Sequence, residues 1–284
     1  MSPDRDPATL VSTLAARLDE FTGIVSEAAA AILAVDPRDS GARRKPDESP
    51  VTIADEAAEA VILAGLARVA PAIPVVSEEA VAGGHVPAPQ RVFILVDPLD
   101  GTREFLAGRD EFTVNVAVVA DGVPRIGLVA APPLGLIWRG VVGRGAQRLR
   151  LKPGLPAAHA SEVASIRTRT RPPRPVAAIS RSHFDPRSQA FLDRLAISDT
   201  LVCGSSVKFC RLAEGAADVY PRLAPISEWD IAAGHAVLSA AGGVVTRPDG
   251  TALSYGNFAG RFHVPGFVAW GDHPSPARPL RERD

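Results

Sequence analysis

Phe93-Ile-Leu-Val-Asp-Pro-Leu-Asp-Gly-Thr-Arg-Glu-Phe105 is the stretch that decides how this chain is read. It grows out of an unbroken apolar run, Val92 to Val96, which has the length of a strand and no polar face, so it marks a strand buried on both sides. Proline gives no N–H to a ladder, and the strand is expected to end at Asp97-Pro98. Asp100-Gly101 then supplies a turn. Asp97, Asp100 and the Thr102 hydroxyl are thereby gathered at the C-terminal end of a strand, the edge where open α/β sheets hold their ligands. Carboxylates this close repel one another unless a cation lies between them, and hard oxygen donors suit Mg²⁺.

Two simpler explanations and one sharper rival compete with that reading. Asp-Gly after an apolar run is often only a surface turn. An EF-hand loop is excluded by the missing alternation of acids and the missing distant glutamate. Phosphatases with an aspartate nucleophile also place acids after a strand, but two residues apart, on one side of an extended chain. Here the spacing is three, across a proline, which favours metal ligation over a phospho-aspartate.

With 284 residues, 46% of them apolar, the chain can bury a large core. A formal net charge of −1 offers no field for nucleic acid or an anionic membrane, so an anionic substrate must be met by local cations or metals. No apolar run approaches the roughly 20 residues of a membrane span. The N-terminus, with Asp4, Asp6 and prolines, does not read as a secretory signal. Cys203 and Cys210 are not spaced as a redox or metal pair and read as core thiols of a reducing cytoplasm.

Apolar spacing predicts one amphipathic helix from Pro7 to Val35, a mobile loop from Asp36 to Pro50, and a second helix capped by Thr52 and running from Asp55 to Val69. Asp55 sits in its first turn, where helix capping alone would account for it. Ile73 to Val76 reads as a short strand with Glu78 and Glu79 at its end, and Val81 to Gln90 as a loop. Phe112 to Val119, Arg125 to Ala131 and Leu136 to Val142 read as an antiparallel meander. Lys152 to Pro175 reads as a structureless connection, so residues 1–150 and 151–284 form two halves. In the second half, strands at Val176–Ile179, Thr200–Cys203, Ala217–Tyr220, Gly243–Thr246 and Val264–Trp270 alternate with helices at Pro186–Leu195, Ser206–Glu214 and Trp229–Ala241, giving an α/β layer on a second sheet.

Asp230 opens the last of these helices. Its small face, Ala232, Ala233, Gly234 and Ala236, permits close packing of the helix start against the Asp97/Asp100 edge. His235 in the same helix reads as a satisfied core histidine. Ser180-Arg-Ser-His183, Gly204-Ser-Ser-Val-Lys208 and Tyr220-Pro-Arg222 each place hydroxyls, cations or N–H groups at a strand end, and together they describe a polyanion pocket.

These residues resemble a family. Glu78-Glu79, Asp97-Pro-Leu-Asp-Gly-Thr102 and Trp229-Asp230 resemble the metal-dependent, lithium-sensitive phosphatases that include inositol monophosphatases and fructose-1,6-bisphosphatases. Lys45…Asp47-x-Ser49-Pro-Val-Thr-x-x-Asp55, Ala213-Glu-Gly215 and the three pocket motifs look like the 3′(2′),5′-bisphosphate nucleotidases of the CysQ type. The match runs from about Ala8 to Trp270, with departures at Arg103, at Trp138 and in the Leu149–Pro175 segment.

The resemblance implies an α/β (α+β) fold, a layered α-β-α-β-α sandwich. It implies two or three Mg²⁺ ions held by Glu78, Asp97, the Leu99 carbonyl, Asp100 and Asp230, with Asp55, Thr102 and Glu78 as the catalytic residues. Gly101, Thr102, Ser180, His183, Ser205, Ser206, Lys208, Arg222 and Asp230 would meet substrate. The implied activity is removal of the 3′-phosphate of adenosine 3′,5′-bisphosphate, a by-product of sulfate activation, without a covalent intermediate. An inositol- or sugar-phosphate phosphatase, or a non-catalytic Mg²⁺/nucleotide sensor, are the alternatives. The implied protein is a cytoplasmic monomer or homodimer, with the periphery of the inner membrane as its one membrane contact. Its partner is a small phosphate ester and not nucleic acid.

Overall fold

The computed structural model describes residues 6–45, 48–181, 185–195, 197 and 199–272. The expected first helix is two, α1 (Pro7–Ala15) and α2 (Leu18–Leu33). They break at Ala16-Arg17, which carries no glycine or proline to announce it. The expected loop at 36–50 contains a 3₁₀ turn, Pro37–Asp39, and a hairpin of β1 (Arg43–Arg44) with β2 (Pro50–Val51). Then follow α3 (Ile53–Val69), β3 (Val75–Ser77), α4 (Glu78–Ala82), β4 (Val92–Asp100) and α5 (Thr102–Leu106). The meander is β5 (Thr113–Ala120), β6 (Val123–Ala131), β7 (Leu136–Val141), β8 (Gly145–Arg150) and β9 (Glu162–Ile166). The segment read as a bare connection thus contains β9, the edge strand of the first sheet.

The second half supplies β10 (Val176–Ser180), α6 (Pro186–Asp193), β11 (Asp199–Cys203), α7 (Val207–Ala213), β12 (Val219–Arg222), β13 (Ile226–Ser227), α8 (Glu228–Ala240), β14 (Val244–Thr246), β15 (His263–Val264) and β16 (Phe267–Trp270). The strand expected at 264–270 is divided. β15 pairs with β13, while β16 joins the second sheet between β12 and β14.

The described residues form five layers. On the first sheet, of order β3-β4-β5-β6-β7-β8-β9, Ile94, Val116 and Leu128 pack with α1, α2 and α3 in one cluster. Phe93, Ala117 and Val129 face the other way, with α7 and α8, and so do Ala178, Tyr220 and Phe267 of the second sheet, of order β11-β10-β12-β16-β14. Phe191 and Leu192 of α6 cover its far side. This is the expected α-β-α-β-α sandwich, and it explains the unbroken apolar run in β4, which is covered on both faces. No described helix is long and apolar enough to cross a membrane.

β4 departs from expectation at its end. It does not stop at Asp97 but pairs on to Asp100, with Asp97 opposite Asn115 and Asp100 opposite Thr113. Three residue steps on β4 match two on β5, so one residue is extra and Pro98 lies in a bulge, where a missing N–H costs the ladder nothing. Side chains three apart on a regular strand point to opposite faces. The bulge cancels that inversion: Leu99 turns into the α1–α3 cluster, and Asp97 and Asp100 both face α8.

What brings α8 to that face is the absence of side chains on both partners. Gly127 and Gly140 are register partners on β6 and β7. A Cβ on Gly127 would lie 2.2 Å from the Ala233 carbonyl oxygen, and one on Gly140 2.8 Å from the Ala240 Cβ. Gly234 gives the same close approach to Phe209 of α7. Gly127→Ala is therefore expected to lower stability by about 1–3 kcal/mol through overpacking. Gly23→Ala, in α2 with nothing within 4 Å, is expected to raise it by about 0.5–1 kcal/mol. Urea midpoints of the two variants moving in the same direction would contradict this packing account.

Candidate active site

Four carboxylates from three elements converge at one cleft. Glu78 comes from the start of α4, Asp97 and Asp100 from the bulged end of β4, and Asp230 from the first turn of α8. Oxygen atoms of Glu78, Asp97 and Asp230 all lie within 4.8 Å of one another. Asp100 stands beside this trio. Its Oδ2 is 3.3 Å from Thr113 Oγ1 and 3.5 Å from Asn115 Nδ2, and the nearby Ser206 N–H favours its charged form.

Two of the acids taken from sequence as helix caps are caps and something more. Asp55 is the third helical residue of α3, and its Oδ2 accepts from Thr52 N (2.7 Å) and Thr52 Oγ1 (2.6 Å). Its second oxygen, Oδ1, accepts from Thr102 Oγ1 at 3.1 Å. Asp230 holds the same position in α8, with Oδ2 accepting from Ser227 N at 3.3 Å. A carboxylate has two oxygens, so a capping box spends one and leaves the other: in Asp55 it meets Thr102, while Asp230 lines the cleft. The Leu99 carbonyl, 3.2 Å from Thr102 Oγ1, lies at the same edge.

The electrostatics of this cluster are set by burial and crowding. Burial and then the charges of Glu78, Asp100 and Asp230 push the Asp97 carboxyl far above the usual range. Burial, then Asp100 and Glu78, lift Asp230 to about 8. Burial raises Asp100 against the opposing pull of Lys208 and Arg222. One buried oxygen, Asp97 Oδ2, has no hydrogen-bond donor. Buried polar atoms are nearly always satisfied. An all-oxygen donor set with mutually repelling charges and an orphaned oxygen at its centre fits a hard divalent cation such as Mg²⁺.

The same-side placement of Asp97 and Asp100 removes the geometric ground on which their spacing set aspartate-nucleophile phosphatases apart. The ground that holds is the arrival of Glu78 and Asp230, which a phospho-aspartate has no need of.

Gly101, Thr102, Ser180, Ser205 and Ser206 line one cleft with Asp100 and Asp230, and Lys208 and Arg222 lie in its wall. His183 falls outside the described residues. Lys208 is 2% exposed, donates to the Ser205 and Cys203 carbonyls (2.7 and 3.3 Å), and lies 5.1 Å from the Tyr220 ring centre. Its charge, more than its hydrogens, is what it offers the cleft. His235 is buried, bonded to the Tyr255 hydroxyl at 2.9 Å, and held neutral by burial with a pKa of about 4.

Two residues of the site were missed in sequence. Lys45, 8% exposed at the tip of the β1–β2 hairpin, donates to Glu78 Oε1 at 2.5 Å and Glu79 Oε1 at 2.7 Å. Burial works against its charge, but the two glutamates outweigh it and hold its pKa above the ordinary value. Lys45 heads a motif of the family resemblance, but a polar, proline-flanked loop gives no physical sign that its side chain turns inward. Asn115, fully buried in β5, joins Asp100 to Ser206. An amide inside the apolar run Val114 to Val119 was its available signal, since it must find partners there.

Without metal, the folded protein keeps protons on these carboxyls that the unfolded chain releases near its ordinary carboxylate range. Folded values lie above unfolded ones, so metal-free stability falls as pH rises from about 4 to about 8, the Asp230 value. Mg²⁺ binds the deprotonated form, so its stabilising effect should grow with pH. Melting temperatures in EDTA and in Mg²⁺ at about pH 6 and about pH 8 test this, with the larger Mg²⁺-dependent rise expected at pH 8. An equal rise at both would mean that the cluster does not titrate there.

Residues 12–274 match the model of the inositol monophosphatase family. The chain is 42% identical to the 3′(2′),5′-bisphosphate nucleotidase CysQ of Salmonella typhimurium over 75% of its own length and 82% of that protein. It is 33% identical to a histidinol-phosphatase of Mycobacterium tuberculosis, over 89% and 92% of the two chains. The crystal structure of CysQ from Bacteroides thetaiotaomicron superposes with a TM-score of 0.74 at 32% identity, covering 90% of this chain and 97% of that one. The chain belongs to the inositol monophosphatase family.

Proposed function

We propose that this protein is a Mg²⁺-dependent 3′(2′),5′-bisphosphate nucleotidase that releases the 3′-phosphate of adenosine 3′,5′-bisphosphate, leaving AMP. The observation that carries the reading is the pairing of a carboxylate cluster with two cations, Lys208 and Arg222, across one cleft, in a chain 42% identical to a CysQ nucleotidase. A single phosphomonoester is served by metals alone. A second phosphate on the same substrate needs positive charge of its own, and the charges of both Lys208 and Arg222 bear on Asp100.

Two or three Mg²⁺ ions, held by Glu78, Asp97, the Leu99 carbonyl, Asp100 and Asp230, would supply positive charge at the phosphoryl oxygens and an activated nucleophile. The chain's own residues do the rest. Thr102 Oγ1, between Asp55 Oδ1 and the Leu99 carbonyl, fixes the direction in which the free lone pairs of Asp55 point. Burial raises the Asp55 carboxylate above its ordinary pKa, which makes it a better proton acceptor than an exposed one. Asp55 Oδ1 takes a proton from the attacking water as the water oxygen bonds to phosphorus; the bond to the ribose oxygen breaks, and that oxygen leaves as the 3′-hydroxyl after taking up a proton from solvent. Lys45 neutralises Glu78 and Glu79 at the rim.

Phosphate release with Mg²⁺ or EDTA, from adenosine 3′,5′-bisphosphate, inositol 1-phosphate, fructose 1,6-bisphosphate and histidinol phosphate, tests the reading. The nucleotide is expected to lead in kcat/KM by at least about tenfold, and only with Mg²⁺. A lead for any of the others would discard the nucleotide pocket, and no release from any would favour a binding protein. Asp55→Asn, which keeps the shape and the cap acceptor, is expected to lower kcat by about 10²–10⁴ with little change in KM. Near-normal kcat in that variant would remove Asp55 from proton transfer.

A further inference from the structure

Asp100 and Asp230 belong to different halves of the chain and ride on different elements. Both are half-buried carboxylates lining one cleft, and the charge of Asp100 pushes the Asp230 carboxyl up. The packing of α8 on β6 and β7 brings the two elements together, and the turn Gly204-Ser205-Ser206 ahead of α7 bonds one to the other.

Ser206 reaches both. Its N–H favours the charged form of the Asp100 carboxylate, and its Oγ donates to the Asp230 carbonyl oxygen at 2.6 Å. The same Oγ accepts from Asn115 Nδ2 at 3.0 Å, and that amide also lies 3.5 Å from Asp100 Oδ2. Ser206 is 2% exposed and Asn115 is fully buried. Ser205 secures the other side of Asp100: its Oγ is 2.9 Å from the Asp100 carbonyl and 2.8 Å from that of Glu111. It does so from a left-handed backbone, φ 48°, that a serine adopts only under constraint. Gly101 makes room for it, since a Cβ there would lie 2.5 Å from Ser205 Oγ.

A serine hydroxyl has one hydrogen to give. In Ser206 it goes to Asp230, and in Ser205 it is shared between two carbonyls, so neither is left to donate to a phosphate oxygen. The two hydroxyls that sequence assigned to substrate are occupied elsewhere.

We infer that Ser206 and Asn115 are positioning residues. They hold the start of α8 against the bulged end of β4 and so set the distance between Asp100 and Asp230, and with it the affinity for Mg²⁺. The inference rests on the proposed function, in which those two aspartates serve one metal cluster. Partners one step behind metal ligands commonly govern affinity by about 10- to 100-fold.

The test uses Ser206→Ala in the full chain. Two quantities are measured: the Mg²⁺ concentration giving half the Mg²⁺-induced rise in melting temperature, without substrate, and the KM for adenosine 3′,5′-bisphosphate at saturating Mg²⁺. The half-saturating Mg²⁺ is expected to rise about tenfold or more, while KM stays near that of the wild type. Asn115→Ala is expected to move the same quantity the same way, and the double variant to lose less than the two single losses combined, because both act through one network. A raised KM with unchanged Mg²⁺ dependence would make the Ser206 hydroxyl a substrate donor and overturn the inference. So would a lower metal-free melting temperature with unchanged Mg²⁺ dependence, the mark of packing alone. If Ser206→Ala does not fold, Asn115→Ala decides by the same criteria. A wild-type protein that gains no stability from Mg²⁺ overturns the metal reading itself, and that is seen before any variant is made.

Discussion

Carboxylates buried side by side repel, and this repulsion is the constraint that the rest of the molecule answers. Glu78, Asp97, Asp100 and Asp230 approach one another at the cleft, where burial, complete only for Asp97, weakens the screening by water. Each device around them acts against the tendency to spread. The bulge at Pro98 turns two aspartates to one face. Gly127 and Gly140 admit α8 close enough to bring the third acid. Lys45 reaches over from a hairpin to balance the fourth. A protein with no use for the site would do better with apolar side chains at every one of these positions.

Strands and helices were legible in the sequence because two-faced burial leaves an unbroken apolar run in β4, while one-sided packing leaves helical spacing in α2; their stacking into five layers came from the family resemblance. What could not be read has physical reasons. Ala16 and Arg17 break a helix without any residue that forbids one. β9 exposes Glu162, Val163 and Ser165, so an edge strand there carries no alternation to detect. The bulge was misjudged because proline's missing N–H was taken as the end of pairing, when it serves equally as the place where pairing skips a residue. Asp97, Asp100, Glu78 and Asp230 were legible as acids at element ends. Their common side was not, because parity along the strand predicts the opposite.

Helix capping and site chemistry looked like competing explanations of Asp55 and Asp230, yet a side chain with two oxygens has room for both. The third residue of a capping box is held by its own helix start, which fixes the side chain without help from the cleft. One oxygen is spent on the backbone and the other is aimed. A carboxylate held in this way gives up no further rotamer freedom when a ligand arrives, which is the usual cost of organising a site. Placing an acid at that position therefore serves the fold and the site together.

The serines make the converse point. A hydroxyl at a strand end near a cleft suggests contact with substrate, yet Ser205 and Ser206 turn theirs toward the carbonyls of Asp100, Glu111 and Asp230. In a site whose charged groups repel, holding those groups in place is as demanding as meeting the ligand, and it falls to small polar residues that fit between packed backbones. Glycine at 101 and a left-handed serine at 205 leave room for that contact and for little else. Lys208 and Arg222, whose charges work against the effect of burial on Asp100, are then the groups that bring positive charge to the same cleft.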